Sequence, residues 1–408
     1  MKTVVPITSK AFIILITCLI CSTSCEESAA PLPSEEKVTR AMNAAMEKSD
    51  LPALVAIAIN KAGEKVTYSY GKAVWEEDAE VTPNHIFRIY SMTKLVTSIA
   101  ALQLVEKGIL GLDDDLSELM PEMTSIPILL NGELVEPENT ITLRHLLTHT
   151  SGFGYLGFTI SNEGFNGDTW EYEDMPRHFE SGTKFLYGSS TDWVGKLVEK
   201  VSGIDLEAYF RKYITGPLQM NRTYFNVPDS LQSYIVSYGH RGDDGEQELT
   251  KLPNRIPATK DTILSGGGGL FSSPSDYTKL LQCLLNDGAY EGGSILNKAT
   301  IEEMNENQVG AINLNPEGRH FDPAACCNFN DLMDENSKWG LAYMIDTTPK
   351  TYGRQEGTVL WGGLFNTYYY IDFKSGIAVS MYSQHIPFNH LQTTSLLEQF
   401  SELVYNSK

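Results

Sequence analysis

The sequence predicts an α/β (α+β) fold: an antiparallel sheet flanked by helices, with an inserted, mostly helical lobe. Three observations point there. Strand-forming runs lie near both ends of the chain, at 54–70 and 367–382, as they would if one sheet joined the two ends. Apolar residues at helical spacing accompany them on either side. Between roughly 111 and 260 strand signal gives way to helical stretches and polar loops, which marks that segment as an insertion. With 408 residues and 42% hydrophobic content the chain can bury a large core in two lobes, and disorder is excluded.

The elements follow in order. Lys2 and Lys10 bracket the start of an apolar run, Ala11 to Ile20, that leads through small residues to Cys25. This is the layout of a secretory signal and is too short for a comfortable membrane span. Cys21 follows bulky Ile20, whereas Cys25 follows Ser22-Thr23-Ser24, and signal cleavage favours small residues. The segment therefore resembles a bacterial lipoprotein signal with Cys25 as the lipidated first residue; a plain cleaved signal is the alternative. Residues 1–24 are then the signal and 25–33, with Pro31 and Pro33, a tether. The protein is expected to be exported to the periplasmic side or outer surface of a bacterial envelope. It would touch membrane only through the N-terminal lipid anchor, or else be freely secreted.

Ser34-Glu35-Glu36 opens a helical pattern through Val38, Met42 and Ala45-Met46, with a capping hydroxyl and early acids that suit a helix N-terminus. Leu54–Ile59 and Lys65–Tyr70 flank a short turn containing Gly63 and read as an antiparallel hairpin. Ser91 starts an apolar-periodic stretch, Leu95, Ile99, Leu102 and Val105, that predicts a helix facing a core. Ser273-Pro274-Ser275-Asp276 is a capped helix start. At the far end Thr367–Ile371 and Ile377–Tyr382 flank the turn Lys374-Ser375-Gly376, and 391–404 is helical. The sheet lobe is accordingly assigned to 34–110 plus 261–408, and the helical lobe to 111–260. No internal repeat or low-complexity tract interrupts this order.

Charge and cysteine content narrow the chemistry. Acids outnumber bases 52 to 31, and loss of residues 1–24 removes two lysines and no acid, leaving a net charge of −23. Such a field repels polyanions, so nucleic-acid binding is excluded. Beyond the anchor only Cys283, Cys326 and Cys327 remain, at spacings that match neither a zinc site nor a disulfide framework. One disulfide among them and buried free thiols both stay open. Asp113-Asp114-Asp115 lacks calcium-loop spacing and reads as a solvated cap, so no metal is expected. The run Gly266–Gly269 lacks the ending of a phosphate-binding loop and reads as a backbone turn beside the site.

Chemistry concentrates at Ser91-Met92-Thr93-Lys94. A serine in the first turn of a helix has unpaired backbone amides and a positive dipole end beside it, which stabilises developing negative charge. Three residues on, Lys94 lies on the same face within reach of the hydroxyl. Alone, this spacing also describes a capped helix with a surface lysine.

The surrounding text decides between the two. Phe87-Arg88-Ile89-Tyr90-Ser91-Met92-Thr93-Lys94 continues through Ala101-Leu102-Gln103-Leu104-Val105-Glu106-Lys107-Gly108 to Leu112-Asp113-Asp114-Asp115. Further on come Ile141-Thr142-Leu143-Arg144-His145-Leu146-Leu147-Thr148-His149-Thr150-Ser151-Gly152, Gly216-Pro217-Leu218-Gln219-Met220 and Gly267-Gly268-Gly269-Leu270-Phe271-Ser272-Ser273. In this order, over nearly the whole mature chain, the sequence resembles the β-lactamase-related serine hydrolases of the class C β-lactamase and penicillin-binding-protein superfamily. The resemblance implies a β-lactamase/transpeptidase-like fold, Ser91 as nucleophile, Lys94 as its partner, and structural roles for His145 and His149.

The family's second element, Tyr-x-Asn or Tyr-x-Ser, matches Tyr187-Gly188-Ser189, which makes Tyr187 the base and Ser189 a substrate-side residue. A phenol ordinarily titrates near ~10, so working near neutral pH requires about 4 kcal/mol of help from surroundings such as the Lys94 ammonium. A proton shared between Lys94 and Tyr187 is equally compatible. The third element, Lys-Thr-Gly in penicillin-recognising enzymes, is here Trp361-Gly362-Gly363, followed by Leu364. Trp361 carries no charge for a substrate carboxylate, a loss of about 2–5 kcal/mol for a buried contact. Trp-Gly-Gly resembles the family VIII carboxylesterases instead, and by carry-over the amides of Ser91 and Leu364 form the oxyanion pair.

The implied activity is cofactor-free, two-step acyl transfer on a small-molecule ester. One alternative is a β-lactamase or D-alanyl-D-alanine carboxypeptidase acting on a β-lactam or peptide, its carboxylate-binding cation supplied by the loop 154–180. A second is a penicillin-binding sensor that acylates without turning over.

Overall fold

The computed structural model describes residues 1–3, 30–155, 175–242, 248–252, 263–314, 325–326, 332–333 and 336–406. Cys25, Cys327 and residues 156–174 lie outside them.

Helix α1 (Glu35–Met46) begins where the Ser34 hydroxyl accepts the Lys37 N–H, with Glu35 and Glu36 in its first turn. The hairpin follows as β1 (Ala53–Asn60) and β2 (Lys65–Gly71), paired antiparallel with Ile57 opposite Thr67. Gly63 supplies the left-handed residue of the turn at φ +85°. Five later strands complete one sheet: β3 (Lys338–Trp339), β4 (Met344–Ile345), β5 (Val359–Gly363), β6 (Thr367–Asp372) and β7 (Ile377–Tyr382). The order β3-β4-β5-β6-β7-β1-β2 is antiparallel throughout, and β1 pairs with β7 in the register Ile57 to Ser380. The two chain ends thus share a sheet.

Both faces of this sheet are covered, which is why β1 reads as an unbroken apolar run. The period of two sends Leu54, Ala56 and Ala58 toward α1 and the C-terminal helix, Leu391–Tyr405. It sends Val55, Ile57 and Ile59 toward the helix Pro274–Leu285, which starts at the Ser273 cap.

Helix α2 (Thr93–Glu106) carries the Ser91 segment. Every residue from Thr93 to Leu104 is buried, so α2 is enclosed on all sides and does not merely turn one face to the core. It packs on α3 (Ser190–Ser202) of the 111–260 segment. One apolar core, including Ile99, Val194, Leu280 and Trp361, runs from the sheet into that segment. The segment also contains a small hairpin, Ile128–Leu130 with Glu133–Val135. Cys283 is a buried free thiol, and Cys326 is buried too. Among the described residues no helix is long and apolar enough to cross a membrane.

Candidate active site

Ser91 does not stand in the first turn of α2. It lies in a separate 3-10 turn, Tyr90–Met92, immediately before it. Tertiary contacts impose this: Phe87–Arg88 pairs with Phe271–Ser272, and the Ile89 N–H donates to Leu270 O at 3.1 Å. The chain then reverses through Tyr90 at φ +41°, an uncommon conformation for a non-glycine residue. Burial pushes the Tyr90 phenol up, against the opposing effect of the nearby Arg88 guanidinium.

Lys94 is buried one turn further on, and its ammonium donates to three oxygens: Ser91 Oγ at 3.2 Å, Tyr155 Oη at 3.0 Å and Gly267 O at 2.7 Å. Three acceptors match its three N–H groups, which is what a buried ammonium requires. Nζ also lies 4.8 Å from the centre of the Tyr187 ring and 5.3 Å from that of Tyr155. Among the described residues Lys94 makes no ion pair.

Tyr187 is held by aromatic neighbours. Its Oη accepts the Trp361 indole N–H at 3.0 Å, and the two rings are 4.9 Å apart. Trp339 meets Trp361 edge-on at 4.6 Å and donates its own N–H to Leu147 O at 3.1 Å. The His149 ring lies 4.6 Å from Tyr187 and accepts the Gly188 N–H through Nδ1 at 3.4 Å. His145 Nδ1 accepts the Thr142 N–H at the start of its short helix. Both histidines thus hold backbone. Gly188 cannot be anything larger, because a Cβ there would sit 2.2 Å from Phe153 O. The crossing of these two segments places Tyr155 beside Tyr187, their rings 5.9 Å apart.

The end of β5 packs against the Ser91 turn. A Cβ on Gly363 would meet Ile89 O at 2.1 Å, and one on Gly362 would meet Thr367 O at 2.9 Å, so close backbone approach explains both glycines. Leu364, half-buried, follows directly.

Of the residues singled out in the sequence, Ser91, Lys94, Tyr187 and Trp361 form one contiguous cluster, with Gly362, Gly363 and Leu364 on its border. Trp361 spends its N–H on Tyr187. Ser189 is buried and its hydroxyl donates to Gly154 O at 3.3 Å, toward the loop backbone. Tyr155 and Gly267 were missed. Gly267 belongs to a run that reads as a backbone turn beside the site, with no sign that its carbonyl meets Lys94, and Tyr155 is a single tyrosine after Gly152-Phe153-Gly154 with no spacing signal of its own. The only Lys or Arg within 154–180 is Arg177. It is buried, with Nε on Ile126 O at 3.1 Å and Nη1 on Ser181 Oγ at 3.0 Å. Among the described residues no group of three His, Cys, Asp or Glu side chains is placed to hold a metal.

A hydroxyl touching a buried amine, one phenol bonded to that amine, a second with its ring against it and a glycine strand alongside form an arrangement able to activate a serine for attack on a carbonyl. Comparison with known proteins identifies the family. Monacolin J acid methylbutanoyltransferase of Aspergillus terreus is 29% identical over 344 residues, 78% of this chain and 81% of that protein. Lovastatin esterase of Penicillium rubens is 29% identical over 379 residues, 82% and 89% of the two chains. Among solved structures, a mutant simvastatin synthase from Aspergillus terreus superposes with a TM-score of 0.78 at 26% identity, covering 90% of this chain and 93% of the other. The family model described as Beta-lactamase matches residues 38–394. The chain belongs to the β-lactamase family and is an enzyme of its serine hydrolase and acyltransferase superfamily.

Proposed function

We propose that this enzyme is an esterase for small carboxylic esters that works through an acyl-enzyme on Ser91. The observation that carries the reading is the buried Lys94 ammonium on Ser91 Oγ, combined with an uncharged Trp361 where penicillin-recognising relatives keep a cation. Once the Lys94–Tyr187 pair has given up one proton to solvent, Oγ attacks the ester carbonyl carbon while its own proton passes to that pair. The amides of Ser91 and Leu364 receive the oxyanion. As the tetrahedral species collapses, the alcohol leaves with that proton; water then attacks the acyl carbon, and the carboxylic acid departs with Ser91 restored. The loop 154–180 contains one Lys or Arg, Arg177, and it is buried, with Nε on Ile126 O and Nη1 on Ser181 Oγ. That argues for neutral esters over β-lactams and peptide termini.

A second acceptor is favoured by the likeness to a methylbutanoyltransferase: an alcohol replaces water in the second step, giving a new ester. The sheet segments 34–110 and 261–408 and the insertion 111–260 then form the two walls of the site. An N-terminal lipid on Cys25 holds the enzyme outside the cytoplasm, which metabolic labelling with a fatty acid checks by its loss in C25A.

The test is steady-state hydrolysis of p-nitrophenyl butyrate and nitrocefin, side by side, by protein lacking residues 1–25 and by its Ser91→Ala variant. Rapid ester turnover with slow nitrocefin turnover, both lost in the variant, is expected. Efficient nitrocefin turnover would make it a β-lactamase, a stable adduct without turnover a sensor, and activity surviving in the variant would remove Ser91 as nucleophile. Adding a primary alcohol and finding transesterified product would establish the transferase step.

A further inference from the structure

The glycine run Gly266–Gly269 turns out to lie against Lys94. Gly267 O receives the shortest of the ammonium's three hydrogen bonds, at 2.7 Å. The N–H of the same residue donates to Asp192 Oδ1 at 3.0 Å, and Ser265 Oγ donates to that oxygen at 2.6 Å. Asp192 is buried in the first turn of α3 and, among the described residues, has no ion-pair partner within 4.0 Å. A Cβ on Gly267 would sit 2.3 Å from Asp192 Oδ2, so carboxylate and loop backbone are in direct contact. From the other side α2 holds the same loop: Thr97 Oγ1 donates to Gly266 O at 2.7 Å, and Thr93 Oγ1 accepts the Leu270 N–H at 3.1 Å.

A buried carboxylate without a cation at contact distance is costly unless something nearby answers its charge. One residue, Gly267, separates it from the buried Lys94 ammonium. Gly267 bridges the two through two successive peptide groups, the N–H of the 266–267 peptide donating to the carboxylate and the C=O of the 267–268 peptide accepting from the ammonium. We propose that Asp192 is a positioning residue for Lys94: it fixes the backbone of Gly267 so that its carbonyl aims the amine at Ser91, and it supplies the countercharge for the ammonium. This rests on the reading of Ser91 as a nucleophile worked by Lys94.

The experiment compares wild type with D192A, D192N and S91A in ester hydrolysis across pH, with folding checked by circular dichroism. In D192A the acylation burst slows by at least about tenfold, KM stays within about twofold, and the limb of the pH–rate profile is displaced toward acid, because a buried ammonium without its countercharge sheds its proton more readily. D192N keeps the acceptor oxygen and discards the charge: its rate at the optimum returns to within about threefold of wild type while the limb stays displaced. A folded D192A with wild-type rate and profile, or one slowed without any displacement of the profile, overturns the proposal. Should D192A not fold, D192N decides alone, an undisplaced limb being the overturning result. Turnover surviving in S91A would instead remove the underlying reading, whatever the Asp192 variants do.

Discussion

Changing Trp361 to Phe keeps a smaller aromatic ring in the cluster and removes the indole N–H donated to Tyr187 Oη at 3.0 Å. Both residues are buried, so the phenol oxygen loses a donor where water does not simply replace it. Withdrawing such a donor costs about 1–3 kcal/mol. At 1.36 kcal/mol per factor of ten, kcat/KM for p-nitrophenyl butyrate falls by about 5- to 150-fold. The loss belongs in kcat, because the indole faces Tyr187 and a substrate bound before proton transfer has no stake in that contact. Steady-state kinetics of W361F, Y187F and the double variant resolve the matter: once Tyr187 has lost its hydroxyl, the second change should add little. A rise in KM at constant kcat would show Trp361 acting on the substrate, and full additivity in the double variant would break the link to Tyr187.

Loss of the proton-transfer phenol in Y187F is expected to lower ester kcat by about 10²- to 10⁴-fold, whereas Y155F, which removes one of three acceptors of Lys94, costs about tenfold or less; the reverse ranking would exchange the roles of the two phenols. Gly188→Ala forces a Cβ to within 2.2 Å of Phe153 O, so a destabilisation of about 1–3 kcal/mol should appear as an earlier thermal transition, and an unchanged transition would show the loop able to give way. His385 is pushed down to about 3 by burial, then by Arg241 and His390 nearby, and so stays neutral in the folded protein at pH values where the unfolded chain protonates it. Its folded value lies below its unfolded one of about 6.5, so it leaves stability untouched above that pH and subtracts about 1.4 kcal/mol per pH unit as pH falls from 6.5 toward 3. Urea midpoints of wild type and H385Q between pH 7.5 and 4.5 should diverge accordingly, and parallel curves would refute it.

Much of the sheet lobe was legible because local signals and tertiary structure agree there. The Ser34 cap, the Gly63 turn and the two apolar strands at 367–382 each carry their own short-range instruction. The Ser91 turn was not legible in detail. Nothing in Phe87–Lys94 announces a 3-10 turn, since the backbone there is set by Leu270 and by pressure from Gly363, both far away in sequence. The candidate site divides along the same line. Ser91 and Lys94 are three residues apart and helix geometry brings them together, but the partners that finish the ammonium's bonding, Tyr155 and Gly267, arrive from loops 61 and 173 positions distant. Trp361 was recognised as lacking a charge, yet the destination of its N–H depended on how β5 meets the Tyr187 segment before α3, which no single segment encodes.

The sheet order also sets a schedule for folding. Strand β1 emerges early from the ribosome, but its second neighbour, β7, is among the last segments made. Until then an all-apolar strand has one open edge and two uncovered faces, the combination that recruits foreign strands. Closing the sheet therefore waits on a contact of very high sequence separation, a slow step by loop-closure entropy. Truncation near the C-terminus should accordingly yield aggregation, not a smaller folded enzyme, even when Ser91, Lys94 and Tyr187 are all retained.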